Sequence, residues 1–146
     1  MNGAPPAALA AAYLRAIYRV EPAEGPFTLR IGEFSPELQR WHERWTVDRS
    51  AFISAANPLS QPTDPEQNAA AHERLLRKLE TAGLHSAPGT GLDPNGHWIP
   101  ERSVLVAGIT KAEALRLAAI FHQHAIVFAE ADAVPRLCWI AALSAG

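Results

Sequence analysis

The sequence has one cysteine, one methionine, no long apolar run and no excess of basic charge. Each scarcity closes an option. With Cys138 alone, no intramolecular disulfide can form, which fits a reducing cytoplasm. No stretch approaches the roughly 18 consecutive apolar residues of a membrane helix, so no membrane partner is expected. A formal net charge of -2 supplies no general basic face to displace counterions, which argues against nucleic acid. The opening Met1-Asn2-Gly3-Ala4-Pro5-Pro6 lacks the positive start of a secretory signal, and Arg15 and Arg19 interrupt the Ala-rich stretch behind it. The expected location is cytoplasmic.

What remains is a folding chain. Hydrophobic residues make up 48% and charged residues 19% of 146 positions, enough for a single domain with its core over about 27–142.

Periodicity and punctuation divide it. Residues 7–20 read as a helix with Leu9, Tyr13, Ile17 and Val20 on one face. Residues 27–31 read as a short strand. Ser35-Pro36 is an N-cap followed by Pro at the first helical position, opening a helix striped by Leu38, Trp41, His42 and Trp45. Residues 52–56 form an apolar strand closed by Asn57-Pro58. Asp64-Pro65-Glu66-Gln67 starts a helix to about residue 82, with His72, Leu75, Leu76 and Leu79 facing inward. Pro88, Gly89 and Gly91 interrupt the next extended run, which suits an edge strand. Asp93-Pro94-Asn95-Gly96 is a tight turn into a return strand, strongest at residues 104–107. Thr110-Lys111-Ala112-Glu113 is a capping box for a helix through Phe121. Strands follow at 125–129 and 136–142, the latter either beside the former or paired elsewhere.

Strand, helix, strand, strand, helix, strand is the split βαβ pattern of α+β ferredoxin-like folds, here with added N-terminal helices and an extra C-terminal strand. Right-handed crossovers then put the third strand between the first two and the fourth beside the first. One sheet edge collects Asn57, Ser60, Glu101, Ser103, Gln123 and His124, with Asp93 and His97 nearby. The opposite edge receives mainly Gly83, Gly108 and Thr110. The best strands are apolar on both faces, so the two N-terminal helices, or a homodimer interface, must cover the second face.

Several catalytic signatures are excluded. His42-Glu43 and His72-Glu73 begin like zinc-protease helices, but Thr46 and Leu76 stand where a second His is needed. Gly91 and Gly96 lack the Lys and Ser/Thr of a phosphate loop, and no Gly-x-Ser-x-Gly is present. Cys138 sits in an apolar strand, where an inert thiol is the default. His122-Gln123-His124 reads as a helix end, with a metal pair completed by Glu101 as the alternative; neither a metal nor another cofactor is expected. Asn57 either ends its strand or fixes a ligand with its amide. Asn68, in the first turn of its helix, either faces the same site or serves the cap. Glu101 beside His124 is an acid–base pair if within reach, and rim charge otherwise.

The stretches Phe52-Ile53-Ser54-Ala55-Ala56-Asn57-Pro58, Ser60-Gln61-Pro62 and Glu66-Gln67-Asn68 resemble a bacterial family of domains of unknown function, number 3293. Residues 101–109 and 121–127 are similar to its other signatures, and the resemblance spans about 27–140. Ala56 replaces a usual aromatic, and His124 a usual Asn, which argues against a required imidazole at 124. The resemblance implies no activity.

Three functions compete. The chain is expected to be a binding or regulatory domain holding a small polar ligand or partner segment at the polar edge. The alternatives are an enzyme using Glu101, His124 and Asn57 in general acid–base chemistry, and a structural protein that dimerises through a sheet face.

Overall fold

A computed structural model describes residues 7–58, 61–96 and 99–140. Among them the chain is mixed α+β, with four helices and a seven-stranded antiparallel sheet curled into a half-barrel. The elements are α1 (Ala7–Arg15), β1 (Ile17–Val20), β2 (Phe27–Leu29), α2 (Pro36–Trp45), β3 (Ser50–Ser54), α3 (Pro65–Thr81), β4 (Ser86–Leu92), β5 (Glu101–Ala107), α4 (Lys111–Ile120), β6 (Ala125–Ala129) and β7 (Arg136–Trp139).

The sheet order is β2-β1-β4-β5-β3-β6-β7. Within it β5 lies between β3 and β4, and β6 pairs with the other side of β3. The sheet is larger than the four strands and one extra expected, because the N-terminus contributes a hairpin. Residues 17–20 are strand, where the spacing predicts helix. Tyr18 and Val20 are buried while Ile17 and Arg19 are half-exposed, the alternation of a strand. Pairing with residues 89–92 outweighs the helical spacing. As a result β4 is an interior strand and not an edge, despite Pro88. Glu21 N–H reaches the Pro88 carbonyl at 2.8 Å just beyond the ladder. Gly89 is required there: a Cβ would lie 2.6 Å from Phe52 Cε2 and 3.1 Å from the Arg19 carbonyl oxygen. β7 extends the sheet antiparallel beside β6.

Alternation along the strands builds two cores. Ala51, Ile53, Val104, Val106, Ile126 and Phe128 pack with Leu75 and Leu79 of α3 and Ala114 and Ala118 of α4. Phe52, Leu105, Ala87 and Val127 face the other way, onto Leu38 and Trp41 of α2 and Tyr18 and Val20 of β1. Thus α2 covers the second face. In contrast, α1 buries no residue, although the Tyr13 ring meets Trp139 edge-on at 5.5 Å.

The caps are where local chemistry demands them. Ser35 and Asp64 accept backbone N–H groups at the starts of α2 and α3. Thr110 and Glu113 form the full capping box of α4. Gly96 closes the β4–β5 turn with φ 71°, its N–H reaching the Asp93 carbonyl at 3.0 Å. No described helix is long and apolar enough to cross a membrane.

Candidate functional site

The pairing of β3 with β5 brings Ser54 opposite Ser103, so the chain leaving β3 runs beside the start of β5. Ser54 Oγ fixes this exit, accepting from Ala56 N–H at 3.0 Å and donating to the Arg102 carbonyl at 3.2 Å. Asn57 then takes φ 48°, a left-handed conformation that Asn tolerates better than most residues. The turn sends its side chain back over the sheet end.

There it joins three segments. Asn57 Nδ2 donates to Glu101 Oε2 at 2.9 Å. Asn57 Oδ1 accepts from Thr63 N–H at 3.1 Å and from Asn68 Nδ2 at 2.9 Å. Asn68 answers by accepting Asn57 N–H on Oδ1 at 2.9 Å, and donates to the Thr63 carbonyl at 3.4 Å. The Asn57 acceptor and both groups of Asn68 are engaged within the protein. Asn57 thus closes the strand, and its amide is spent on the Glu101 carboxylate, Thr63 and Asn68.

That carboxylate lies in the wall of a cavity of ≈ 570 Å³. The first turns of α3 supply Pro65, Asn68, Ala69 and His72, the loop before them Pro62 and Thr63, and the approach to β5 Ile99, Pro100, Glu101 and Arg102. Burial pushes the Glu101 carboxyl up from its ordinary value, with the Asn57 hydrogen bond pulling the other way. His72 is only 4% exposed, and its buried Nδ1 has no hydrogen-bond partner among the described residues. Burial pushes its imidazole down, the Arg102 charge adds to this, and Glu73 opposes it.

The remaining expected residues divide. Ser103 is buried, and its hydroxyl donates to the Glu101 carbonyl at 3.1 Å. Gln123, 8% exposed, donates to the carbonyls of Ala56 and Phe121 at 3.0 and 3.2 Å, bracing the β3 exit against the end of α4. With Tyr13, Tyr18, Ser54 and Glu101, these two line a second, small space of ≈ 40 Å³ toward α1. Burial pushes the Tyr18 phenol up, with Tyr13 and Glu101 adding to it. Glu101 thus borders both spaces. His124 lines neither; its carbonyl accepts Ile140 N–H at 2.9 Å, a contact to the chain just past β7. Its neighbour His122 ends α4 at φ 55°, with Gln123 N–H bonding the Ala118 carbonyl. Asp93 belongs to the turn, accepting Asn95 N–H at 2.9 Å and approaching Arg15 at 3.8 Å. Ser60 and His97 lie outside the described residues.

In the sequence His72 reads as a core residue, and neither Thr63 nor Arg102 is expected at the site. One signal for His72 was present: it follows Asn68 by four positions, which places both on one helix face. The apolar neighbours Leu75 and Leu79 on that face masked it.

The sequence model of a family described as "Protein of unknown function (DUF3293)" matches residues 53–126. That span runs from β3 into β6 and holds every residue named for the ≈ 570 Å³ cavity. No curated protein and no solved structure gives a significant match.

Proposed function

The chain belongs to the DUF3293 family, and from that premise we propose that it is a cytoplasmic binding or regulatory domain holding a small polar ligand in the β3–β5 cavity. One observation carries this reading. Asn57 orients the Glu101 carboxylate in a ≈ 570 Å³ cavity beside His72, whose Nδ1 lacks a partner among the described residues. A cavity of this size with an apolar lining and a few fixed polar groups is the usual form of a small-molecule site. The strand order β4-β5-β3-β6, with α3 and α4 on one face, supports reading the centre as a ferredoxin-like split βαβ core. In that reading the β1–β2 hairpin, α2 and β7 are additions to it.

A thermal-shift screen of metabolites, nucleotides and divalent metals tests the proposal. A compound that stabilises the wild type but not Glu101→Gln supports it. If no compound acts through Glu101, the reading fails. Glu101→Gln is the better probe than Asn57→Ala, because Asn57 also holds the loop.

A second reading has its own observation. Glu101 is pushed up and His72 down by burial and both border one cavity, which makes them the candidates for general acid–base chemistry. In this reading His72, and not His124, is the imidazole that shares the cavity with Glu101. The dimerisation reading loses its motive where Leu38 and Trp41 cover the second sheet face.

A further inference from the structure

Building on the binding reading of the β3–β5 cavity, we infer that its ligand is a small zwitterion of the amino-acid type, with its ammonium group against Glu101 and its carboxylate toward Arg102. The inference starts from what the protein leaves unpaired. Asn68 and the Asn57 carbonyl are engaged by one another and by Thr63, so they hold the wall and not the ligand. Glu101 receives one hydrogen bond, from Asn57, through Oε2. Among the described residues neither Glu101 nor Arg102 takes part in an ion pair, and the Arg102 side chain makes no hydrogen bond. Two opposite charges therefore border one cavity, the half-buried Glu101 in its wall and the exposed Arg102 at its rim, each without a counter-ion among the described residues.

Their spacing follows from the strand. Consecutive side chains of a strand point to opposite faces. Arg102 shares the α3 side with Val104, whereas Glu101 shares the other with Ser103 and Leu105. Alternation keeps the two charges from neutralising each other, and the cavity at the sheet end is bordered by both.

The surroundings sort the charges of a guest. The first turn of α3 borders the cavity, but its N-terminus is already capped by the Asp64 carboxylate, so Arg102 is the group that draws the negative end of a ligand. Arg102 lies close enough to His72 to help hold its imidazole neutral. A lone amine would leave Arg102 without a counter-ion from the ligand. A lone carboxylate would confront Glu101. A molecule carrying both charges satisfies both sides, and Pro62, Pro65, Ile99 and Pro100 offer apolar walls for a side chain.

Calorimetric and thermal-shift titration of the full chain at pH 7.5 tests this with glycine, L-alanine and L-leucine, and with propylamine and propionate as single-charge comparators. The expected result is binding of an amino acid, at least about tenfold tighter than either comparator. Glu101→Gln and Arg102→Gln should each weaken it by at least about tenfold, with both variants folded by circular dichroism. Amino-acid binding untouched by both substitutions overturns the inference. So does a Glu101-dependent shift from another compound class with none from amino acids, although the binding reading then survives. No shift from any compound in the broader screen overturns both.

Discussion

Asn57 Nδ2 donates to Glu101 Oε2 at 2.9 Å, linking the exit of β3 to the first residue of β5 across 44 positions of sequence. The same Asn57 side chain accepts from Thr63 and Asn68, so one residue fixes both the loop and the carboxylate.

Asn57→Ala removes all three side-chain bonds and places Ala at φ 48°. The expected destabilisation is about 2–4 kcal/mol by chemical denaturation. Asn57→Gly loses the same bonds but not the backbone preference, and should be the milder change by about 1 kcal/mol. Equal losses would mean that the left-handed turn does not persist in solution.

Glu101 makes stability depend on pH in a definite direction. Burial holds its carboxyl above the ordinary 4.5, so the folded chain keeps a proton that the unfolded chain has released. Its contribution is complete below pH 4.5 and disappears as pH rises through the raised value. Buried His72 and His42 act oppositely: both are pushed below 6.5, so stability is lost as pH falls below 6.5. The difference between wild type and Glu101→Gln isolates the carboxyl. It should turn in favour of the variant as pH rises from 4.5, and parallel curves would contradict the raised value.

Gly89→Ala should cost about 1–3 kcal/mol. Its Cβ meets both the Phe52 ring and the Arg19 carbonyl oxygen, and the latter belongs to the backbone of the paired strand. A neutral effect in urea denaturation would argue against the β1–β4 pairing, and with it the seven-stranded sheet.

His42 Nε2 and Ser50 Oγ lie 2.8 Å apart and both residues are buried, joining α2 to the start of β3. Ser50→Ala leaves a buried ring nitrogen unpaired, for an expected loss of about 1–3 kcal/mol at pH 8. Denaturation midpoints of the two proteins test it, and coincident midpoints would show the bond to be dispensable.

Elements whose signals are local were legible in the sequence. Ser35-Pro36, Asp64-Pro65 and Thr110 with Glu113 marked helix starts, and Asp93 to Gly96 marked the turn, because each acts through neighbouring backbone groups. Residues 17–20 misled because Ile17 and Val20 satisfy helical spacing, while one of the two strands they pair with lies some 70 positions away at residues 89–92 and the other is the short run 27–29. The site was legible in part. Asn57, Asn68 and Glu101 meet as the strand order suggests, but His124 lines neither cavity and Gln123 acts as a brace. Arg102 carries no local signal, and His72 reads as core because Leu75 and Leu79 share its face; that both border one cavity is a matter of tertiary placement.

The most direct test of the account is a crystal structure of the chain with the compound that most stabilises it in the screen. The account predicts that compound in the β3–β5 cavity, hydrogen-bonded to Glu101, with the Asn57–Glu101 bond retained. A compound bound elsewhere, or contacts that bypass Glu101, would contradict it.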